Sequence, residues 1–325
     1  MEPNIIKSNN FWATWMPQVA VVVFFVLCYF GFRNDLNKIS LDSLPRSYGL
    51  YFLVVGMVCL SYTIRAMRWR QYLLTLGYEL PKLFALLTYI AGFAYTLAPG
   101  KVGELMKATY YRPYKIPMTV VTAAFFVERL SDLAVFVCLA LVFLGFVAQG
   151  YGSLLIITGL FVPVLVLLTA FLREQHLKLI AKSAWVRVVG LTSLVVKVAE
   201  GIEAAKRLLT FSVLIRGLFL GFLAWLVECF SLYVLGGIEP HTTLLVGDAI
   251  GIYAAAIVVG AISFLPGGLG TTEATLLALL VKYGYSIQDA LVLTIVCRLL
   301  TLWVAVLLGW IAVGFLKLSR SRELP

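Results

Sequence analysis

Long apolar runs alternate with short polar segments along most of the chain, and this pattern predicts membrane-spanning helices. A helix needs about 20 apolar residues to cross the hydrocarbon core of a bilayer. Six runs reach or approach this length, and they cover residues 11–32, 48–66, 118–149, 152–172, 211–236 and 286–316. The hydrophobic pattern therefore predicts an all-α polytopic membrane protein with six spanning helices.

Two further apolar regions are each interrupted by a Pro-Gly sequence. Residues 83–111 contain PGKVGE, and residues 243–284 contain PGGLGTTE. Because the apolar arms 83–98 and 269–281 are short for complete crossings, we interpret each region as a re-entrant hairpin that returns to the side from which it entered. If every arm crossed the membrane instead, the number of spans would rise to about ten.

The composition indicates that lipid is the solvent for most of the chain. Hydrophobic residues make up 62% of the 325 residues and charged residues 13%, which is about half the charged share of a soluble domain. The five cysteines lie inside apolar runs without CxxC spacing, and there are two histidines. We therefore expect no disulfide framework, no metal site and no cofactor.

The formal net charge is +10, and the basic residues cluster between the apolar runs. This distribution is typical of cytoplasmic loops and gives no reason to expect a nucleic-acid partner. The basic segments, expected inside, are 65–82, 101–117, 173–210 and 317–325, whereas 149–152 and 237–243 contain no lysine or arginine and are expected outside. Both termini should then be cytoplasmic at an inner (plasma) membrane, and the two hairpins should enter from opposite faces.

The basic segment 173–210 divides the chain into two membrane halves. Residues 1–172 form the predicted first half, with hairpin 83–111, and residues 211–316 form the second, with hairpin 243–284. Between them, charges alternate with Leu, Ile and Val at helical spacing, which predicts amphipathic helices on the inner membrane surface, a plain cytoplasmic linker, or both. Residues 317–325 would form a cytoplasmic tail.

The two halves carry the same series of unusual residues in the same order. Each has a Pro-Gly-x-x-Gly break, an acidic residue five or seven positions after the proline, and an arginine about thirty residues after the break. The offset along the chain from Pro99 to Pro266 is almost the same as the offset from Arg129 to Arg298. This recurrence predicts an inverted repeat, a plan known from transporters whose broken helices meet at the middle of the membrane.

The Pro-Gly breaks are candidate binding elements. Unwound backbone exposed to lipid is costly, so it must be buried in protein or line a wet cavity. A helix that restarts after a break presents free N–H groups there, and these suit an anion such as a phosphate. The alternative is that the prolines only mark loop ends and the glycines ease helix packing.

Ionisable residues inside the apolar runs are costly in lipid, so they should face the interior in pairs. We expect Arg298 to pair with Glu273, and Arg129 to pair with Glu104 or Asp132. Such pairs could contact a substrate or hold the two halves together. The candidate substrate-binding residues are Pro99, Gly100, Lys101, Gly103, Glu104, Arg129, Asp132, Pro266, Gly267, Gly268, Gly270, Glu273 and Arg298.

The sequence contains no signature of a known catalytic site. It has no P-loop, HExxH, GxSxG or DxD motif, and no soluble segment long enough for a catalytic core. An intramembrane enzyme would have to work with a few carboxylates and arginines, and for Glu228, deep in the run 211–236, we expect a packing role. We therefore predict no catalytic residue and no enzymatic activity.

The segments APGKVGELMKA and AFFVERLSDL, followed by FLPGGLGTTEA and a late arginine, resemble the membrane region of the lysylphosphatidylglycerol synthase/flippase family. The resemblance covers roughly residues 11–316 and implies a polytopic inner-membrane protein. In bifunctional members this region translocates an aminoacylated phospholipid that a separate soluble domain makes. Because this chain ends at Pro325 without room for that domain, we expect that it does not synthesise the lipid.

The leading hypothesis is flippase-like translocation of a polar or polyprenyl phospholipid across the inner membrane. Lys101, Arg129 and Arg298 would hold the lipid phosphate together with the amides of the breaks. Glu104 and Glu273 would balance charge or bind a cationic headgroup. The alternatives are an intramembrane lipid-modifying enzyme and a non-catalytic membrane subunit of an envelope-lipid pathway. Membrane lipids are the expected partners, and self-association or a partner envelope enzyme is left open.

Overall fold

The computed structural model describes residues 48–145, 192–237 and 244–322, and within these ranges it contains helices and no β-strand. The all-α prediction is therefore confirmed for the described part of the chain. The predicted spans 11–32 and 152–172 lie outside the described residues, as do residues 173–191 of the predicted linker.

The described part of the first half, residues 48–145, contains three α-helices, and the second of them belongs to a hairpin interrupted at Pro99. Its elements are α1 (Tyr48–Thr75), α2 (Lys82–Gly92), a 3₁₀ turn (Phe93–Tyr95), a 3₁₀ segment (Pro99–Tyr114) and α3 (Met118–Gly145). Lys115, which follows the 3₁₀ segment, adopts a left-handed conformation with φ 54°. The predicted hairpin 83–111 thus consists of α2, the turn and most of the 3₁₀ segment.

The second half repeats this order and is preceded by a helix in the predicted linker. The linker helix is α4 (Thr192–Leu208). The described elements of the second half are α5 (Phe211–Gly236), α6 (Val246–Ile262), a 3₁₀ turn (Pro266–Gly268), α7 (Thr271–Lys282), α8 (Ile287–Arg298), a π-helical turn (Leu299–Trp303) and α9 (Val304–Arg322). Ser286 caps α8 by accepting a hydrogen bond from the Asp289 amide at 3.1 Å.

Three helical stretches in the described residues are long and apolar enough to cross a membrane: α1, α5 and the continuous helix Ile287–Ser319. A fourth, α3, has 28 residues but carries Glu128, Arg129 and Asp132 in its middle. Together with the large apolar side chains exposed around the bundle, such as Phe52, Phe211 and Phe315, these helices identify an integral membrane protein.

One predicted boundary was wrong. The segment 65–82 was assigned to a cytoplasmic loop, but α1 continues to Thr75, and Arg65 and Arg68 are buried within it. Charged residues were taken as signs of a helix end, whereas Arg65 and Arg68 pair with carboxylates inside the bundle. Beyond the last predicted apolar run, which ends at 316, α9 continues to Arg322, and the cytoplasmic location of the tail stays a prediction.

A π-helical turn interrupts the last span between α8 and α9. π-Helical turns leave backbone groups without their regular partners and are frequent at functional sites. Here the Thr301 carbonyl accepts a hydrogen bond from the Tyr62 hydroxyl at 2.7 Å. The irregularity therefore joins the last helix of the second half to the first described helix of the first half.

Contacts between the halves occur in matched pairs. At the nearly constant offset found in the sequence, α1 corresponds to α5, α2 to α6, and α3 to the α8–α9 span. In the structure α1 packs against α5, α3 packs against α6, and α2 packs against α9. If each helix is replaced by its counterpart in the other half, the α3–α6 contact becomes the α9–α2 contact and the reverse, whereas the α1–α5 contact becomes itself. The two halves therefore pack against each other in a symmetric way.

The described part of the predicted linker, α4, packs against α3. Ala199, Ala204 and Leu208 of this helix are buried. The amphipathic helices on the inner membrane surface that the sequence predicts for this segment stay a prediction.

Gly309 of α9 should be sensitive to a single added methyl group, because a Cβ atom there would overlap the Ala94 amide nitrogen and lie 2.8 Å from the Phe93 carbonyl carbon. We expect Gly309→Ala to destabilise the protein by about 1–3 kcal/mol, measured as a lower unfolding temperature in detergent. Gly314→Ala on the same helix, where nothing lies within 4 Å of the added atom, should be neutral. Equal effects at both positions would show that the α9–hairpin contact is absent.

Candidate functional site

A cavity of about 300 Å³ lies where the two interrupted hairpins meet. The first half contributes Arg65, Lys101, Glu104, Arg129 and Asp132 to its wall, and the second half contributes Glu228, Tyr253, Gly267, Gly268, Thr272 and Arg298. The two breaks touch each other, since a Cβ atom on Gly267 would lie 2.9 Å from Leu97. The breaks therefore share one cavity and are not separated at opposite surfaces.

The middle of α3 carries a charge cluster that α1 and the 3₁₀ segment complete. Arg68 is fully buried and donates hydrogen bonds to Asp132 at 2.6 Å and to Glu128 at 3.2 Å. Arg129 forms ion pairs with Asp132 at 3.2 Å, Glu128 at 3.4 Å and Glu104 at 3.9 Å. The predicted pairing of Arg129 is thus present with both of the expected acids.

Lys107 extends this cluster and was missed from the sequence. It was counted among the cytoplasmic charges of 101–117, but its side chain is 1% exposed. Its ammonium lies 3.4 Å from the ring centroid of Trp69 and 3.7 Å from a Glu128 oxygen. An aromatic face and a carboxylate together stabilise a buried ammonium.

Glu228 forms a second polar centre on the cavity wall. It accepts hydrogen bonds from the hydroxyls of Ser61 and Tyr253, each at 3.0 Å, and lies 3.8 Å from the Arg65 guanidinium. That guanidinium stacks 4.1 Å from the ring centroid of Trp225. We expected only a packing role for Glu228, but the structure places both Glu228 and Arg65 on the cavity wall.

A sequence signal for these missed residues did exist. Tyr62, Arg65, Trp69 and Tyr72 recur at three- and four-residue spacing in an apolar run, which places them on one face of α1. A polar and aromatic stripe of this kind on a membrane helix indicates an inward-facing surface.

The second break is held by Glu273 and Arg298. Gly267, Gly268 and Gly270 all have positive φ, at 62°, 68° and 86°, which is a conformation that glycine adopts at little cost. Glu273 accepts hydrogen bonds from the Gly270 amide and from Arg298, both at 2.6 Å. Arg298 also donates to the Gly267 carbonyl at 3.0 Å.

The predicted ion pair between Arg298 and Glu273 is confirmed by this arrangement, but it changes the expected anion site. The Glu273 carboxylate already occupies the start of α7, which begins at Thr271 after the break at Pro266. One of the amides expected to receive an anion at this break, that of Gly270, therefore already has an acceptor in the protein.

The first break has the same plan. The 3₁₀ segment begins at Pro99 and continues through Gly100, and the Thr96 hydroxyl donates across the break to Glu104 at 2.9 Å. Gly103 permits close packing, since a Cβ atom there would overlap the Tyr95 carbonyl oxygen. Glu104 pairs with Arg129 as Glu273 pairs with Arg298, and the two acids are separated along the chain by the same offset as the two arginines.

The family model for the lysylphosphatidylglycerol synthase TM region matches residues 17–309, which include both breaks and the described charge clusters. The chain belongs to the lysylphosphatidylglycerol synthase TM region family. The family indicates a function related to membrane lipids. A comparison with individually characterised proteins gave no significant match. In the described residues of this family member, no group of three His, Cys, Asp or Glu side chains could hold a metal ion.

Removing one partner of the Arg298–Glu273 pair should be costly, because the other partner is left without its counter-charge. We expect Arg298→Met to destabilise the protein by about 3–5 kcal/mol, and the double variant Arg298→Met/Glu273→Gln to be less destabilised than the single one. Thermal unfolding in detergent measures both.

The exposed pair Arg207–Glu203, at 3.4 Å, provides the matched control for this pair. Arg207→Met should change stability by about 1 kcal/mol or less. If Arg298→Met and the double variant were equally unstable, the two side chains would not be energetically coupled.

Proposed function

We propose that the protein translocates a polar or polyprenyl phospholipid across the inner membrane, with the headgroup held in the cavity near the membrane midplane. The observation that carries the proposal is that the two interrupted hairpins meet at one cavity whose wall contains both charged and aromatic side chains. A site that only joined helices would not require unwound backbone from both halves around a hollow.

The matched contacts between the halves support an inverted-repeat transporter. In such proteins the repeats rock about a binding site near the membrane midplane. The contact of α3 with α6 and the equivalent contact of α2 with α9 provide two related interfaces between the halves. We propose that closing one interface while opening the other exposes the headgroup to alternate leaflets.

One side of the cavity offers a route for the lipid tails. Four of the lining residues, Phe126, Ala261, Phe264 and Leu265, are exposed on the outer surface of the bundle. Phe264 is 72% exposed and has a φ of 53°, an uncommon conformation for a bulky residue. We propose that the tails remain in the bilayer and pass between α3 and the end of α6.

The proposal includes a location, an orientation and partners. We place the protein in the inner membrane with both termini in the cytoplasm, as the distribution of basic residues predicts. Membrane lipids are its partners, and no chemical step is required, so the protein acts as a transporter rather than as an enzyme. Association with a second copy or with an envelope enzyme is compatible with this role.

The direct test is reconstitution of the full chain into liposomes that contain fluorescent phospholipids or a labelled polyprenyl phosphate. We expect label to move between leaflets faster than in protein-free vesicles, measured by the fraction that a membrane-impermeant quencher reaches over time. No movement above protein-free vesicles with any headgroup would overturn the proposal. A new lipid species in the mass spectrum of the same vesicles would favour the enzyme alternative.

The route for the tails can be tested separately. Ala261→Trp should fill the opening and slow translocation by at least about tenfold, the effect of roughly 1.4 kcal/mol of added barrier. Ile262→Trp is the matched control, since Ile262 is 65% exposed on the same helix but is not part of the cavity wall. Equal rates for the two variants would show that the tails do not pass this way.

A further inference from the structure

We infer that the cavity binds a lipid headgroup of net negative charge and rejects cationic, aminoacylated headgroups, and that Lys101 sets this preference. The inference rests on the proposed function, since it specifies the class of lipid bound at that site. It follows from how the charges around the cavity are paired.

The carboxylates around the cavity are already committed to protein partners. Five acidic side chains each have an arginine within 4.0 Å: Glu104 and Asp132 pair with Arg129, Glu128 with Arg68, Glu228 with Arg65, and Glu273 with Arg298. Each of them also accepts a hydrogen bond from a hydroxyl group, an indole or a backbone amide. A cationic headgroup would therefore find no carboxylate without an ion-pair partner among the described residues around the cavity.

The basic side chains outnumber the acidic ones by one. The described residues around the cavity include six cations, namely Arg65, Arg68, Lys101, Lys107, Arg129 and Arg298, against these five carboxylates. Five of the six cations are in ion pairs. Lys101 is on the cavity wall, and in the described part of the chain no carboxylate oxygen lies within 4.0 Å of its ammonium group.

The backbone presents Lys101 in an unusual way. Its φ is 57°, in the left-handed region that non-glycine residues occupy rarely. This conformation falls within the first break, where the 3₁₀ segment begins at Pro99. Residues held in such conformations cluster at ligand-binding sites, where the surrounding structure enforces them. The turn at the break thus places a cation that has no ion-pair partner among the described residues at the hollow shared by both halves.

An unpaired positive charge in a low-dielectric cavity attracts an anion and repels a cation. A lysine ammonium is a common phosphate ligand that acts as a point charge. A phosphodiester or phosphomonoester without an added amino group would neutralise Lys101, with Arg129 and Arg65 nearby on the same wall. An aminoacylated phospholipid would bring a second, uncompensated cation into the site.

The test compares binding of three lipids to the full chain in detergent micelles. Photoactivatable phosphatidylglycerol is the probe, and unlabelled phosphatidylglycerol, phosphatidylcholine and lysyl-phosphatidylglycerol are the competitors. We expect phosphatidylglycerol to compete at least about tenfold more strongly than the lysyl lipid, since a tenfold ratio needs only a small free-energy difference. Equal or stronger competition by the lysyl lipid would overturn the inference.

Variants at two lysines with similar backbone conformation provide the control. Lys101→Glu should abolish or reverse the preference, and Lys101→Arg should retain it. Lys115→Glu should leave it unchanged, because Lys115 has a φ of 54° but is exposed at the far end of the same segment. If Lys101→Glu aggregates, Lys101→Met removes the charge without adding one and should still weaken the preference. A full preference in Lys101→Met would contradict the role of this residue.

Two further measurements distinguish a lipid site from a free organophosphate site, and failure of this inference from failure of the proposed transport. Glycerol 3-phosphate should not displace the probe at equal concentration, and displacement by it would show that the site takes a free organophosphate rather than a lipid. Selective, Lys101-dependent binding without movement in liposomes would support the inference and overturn the proposed transport. Movement of all lipids without headgroup preference would overturn the inference and leave transport standing.

Discussion

The free-energy cost of ionised side chains in lipid governs the arrangement of this protein. On insertion scales each such side chain costs about 2.5–3.5 kcal/mol at the centre of a membrane helix, so a charged cavity can exist there only if most of its charges are paired. Arg68 meets this requirement by joining two carboxylates of α3, and Arg65 does so with Glu228 of α5. These pairs bring α1 together with helices from both halves, so the same interactions that solvate the charges also assemble the bundle.

The two breaks are stabilised by the same kind of interaction, an ion pair between an acidic residue and an arginine. Each has an acidic residue that accepts a hydrogen bond next to the break, Glu104 from Thr96 and Glu273 from the Gly270 amide. Each also has an arginine, at the equivalent position of its half, that pairs with the acid. The two copies differ in strength. The second pair is direct at 2.6 Å, whereas Arg129 is shared among Glu104, Glu128 and Asp132 at 3.2–3.9 Å. At the second break, Glu273 and Arg298 bind each other and the backbone of the break. At the first break, Lys101 lines the cavity without an ion-pair partner in the described part of the chain.

The hydrophobic pattern predicted helices well because it reports a local property. The described spans and the hairpin interruptions were all predicted, and so was the pairing of Arg298 with Glu273. The predictions failed for charged residues whose burial depends on a partner in another helix. Arg65, Arg68 and Lys107 were interpreted as cytoplasmic charges, because their partners Glu228 and Glu128 are distant in sequence.

The sequence by itself determined that the chain is helical, that it belongs in a membrane and that two equivalent interruptions exist, since apolar length, proline and glycine act through neighbouring residues. The tertiary structure alone decided that the interruptions share a cavity, that Glu273 fills the start of α7, and that Lys101 is the cation left over among the described residues around that cavity. The reason is physical. Whether a charge is neutralised depends on distances of a few ångströms between helices that lie far apart along the chain, and no local pattern contains those distances.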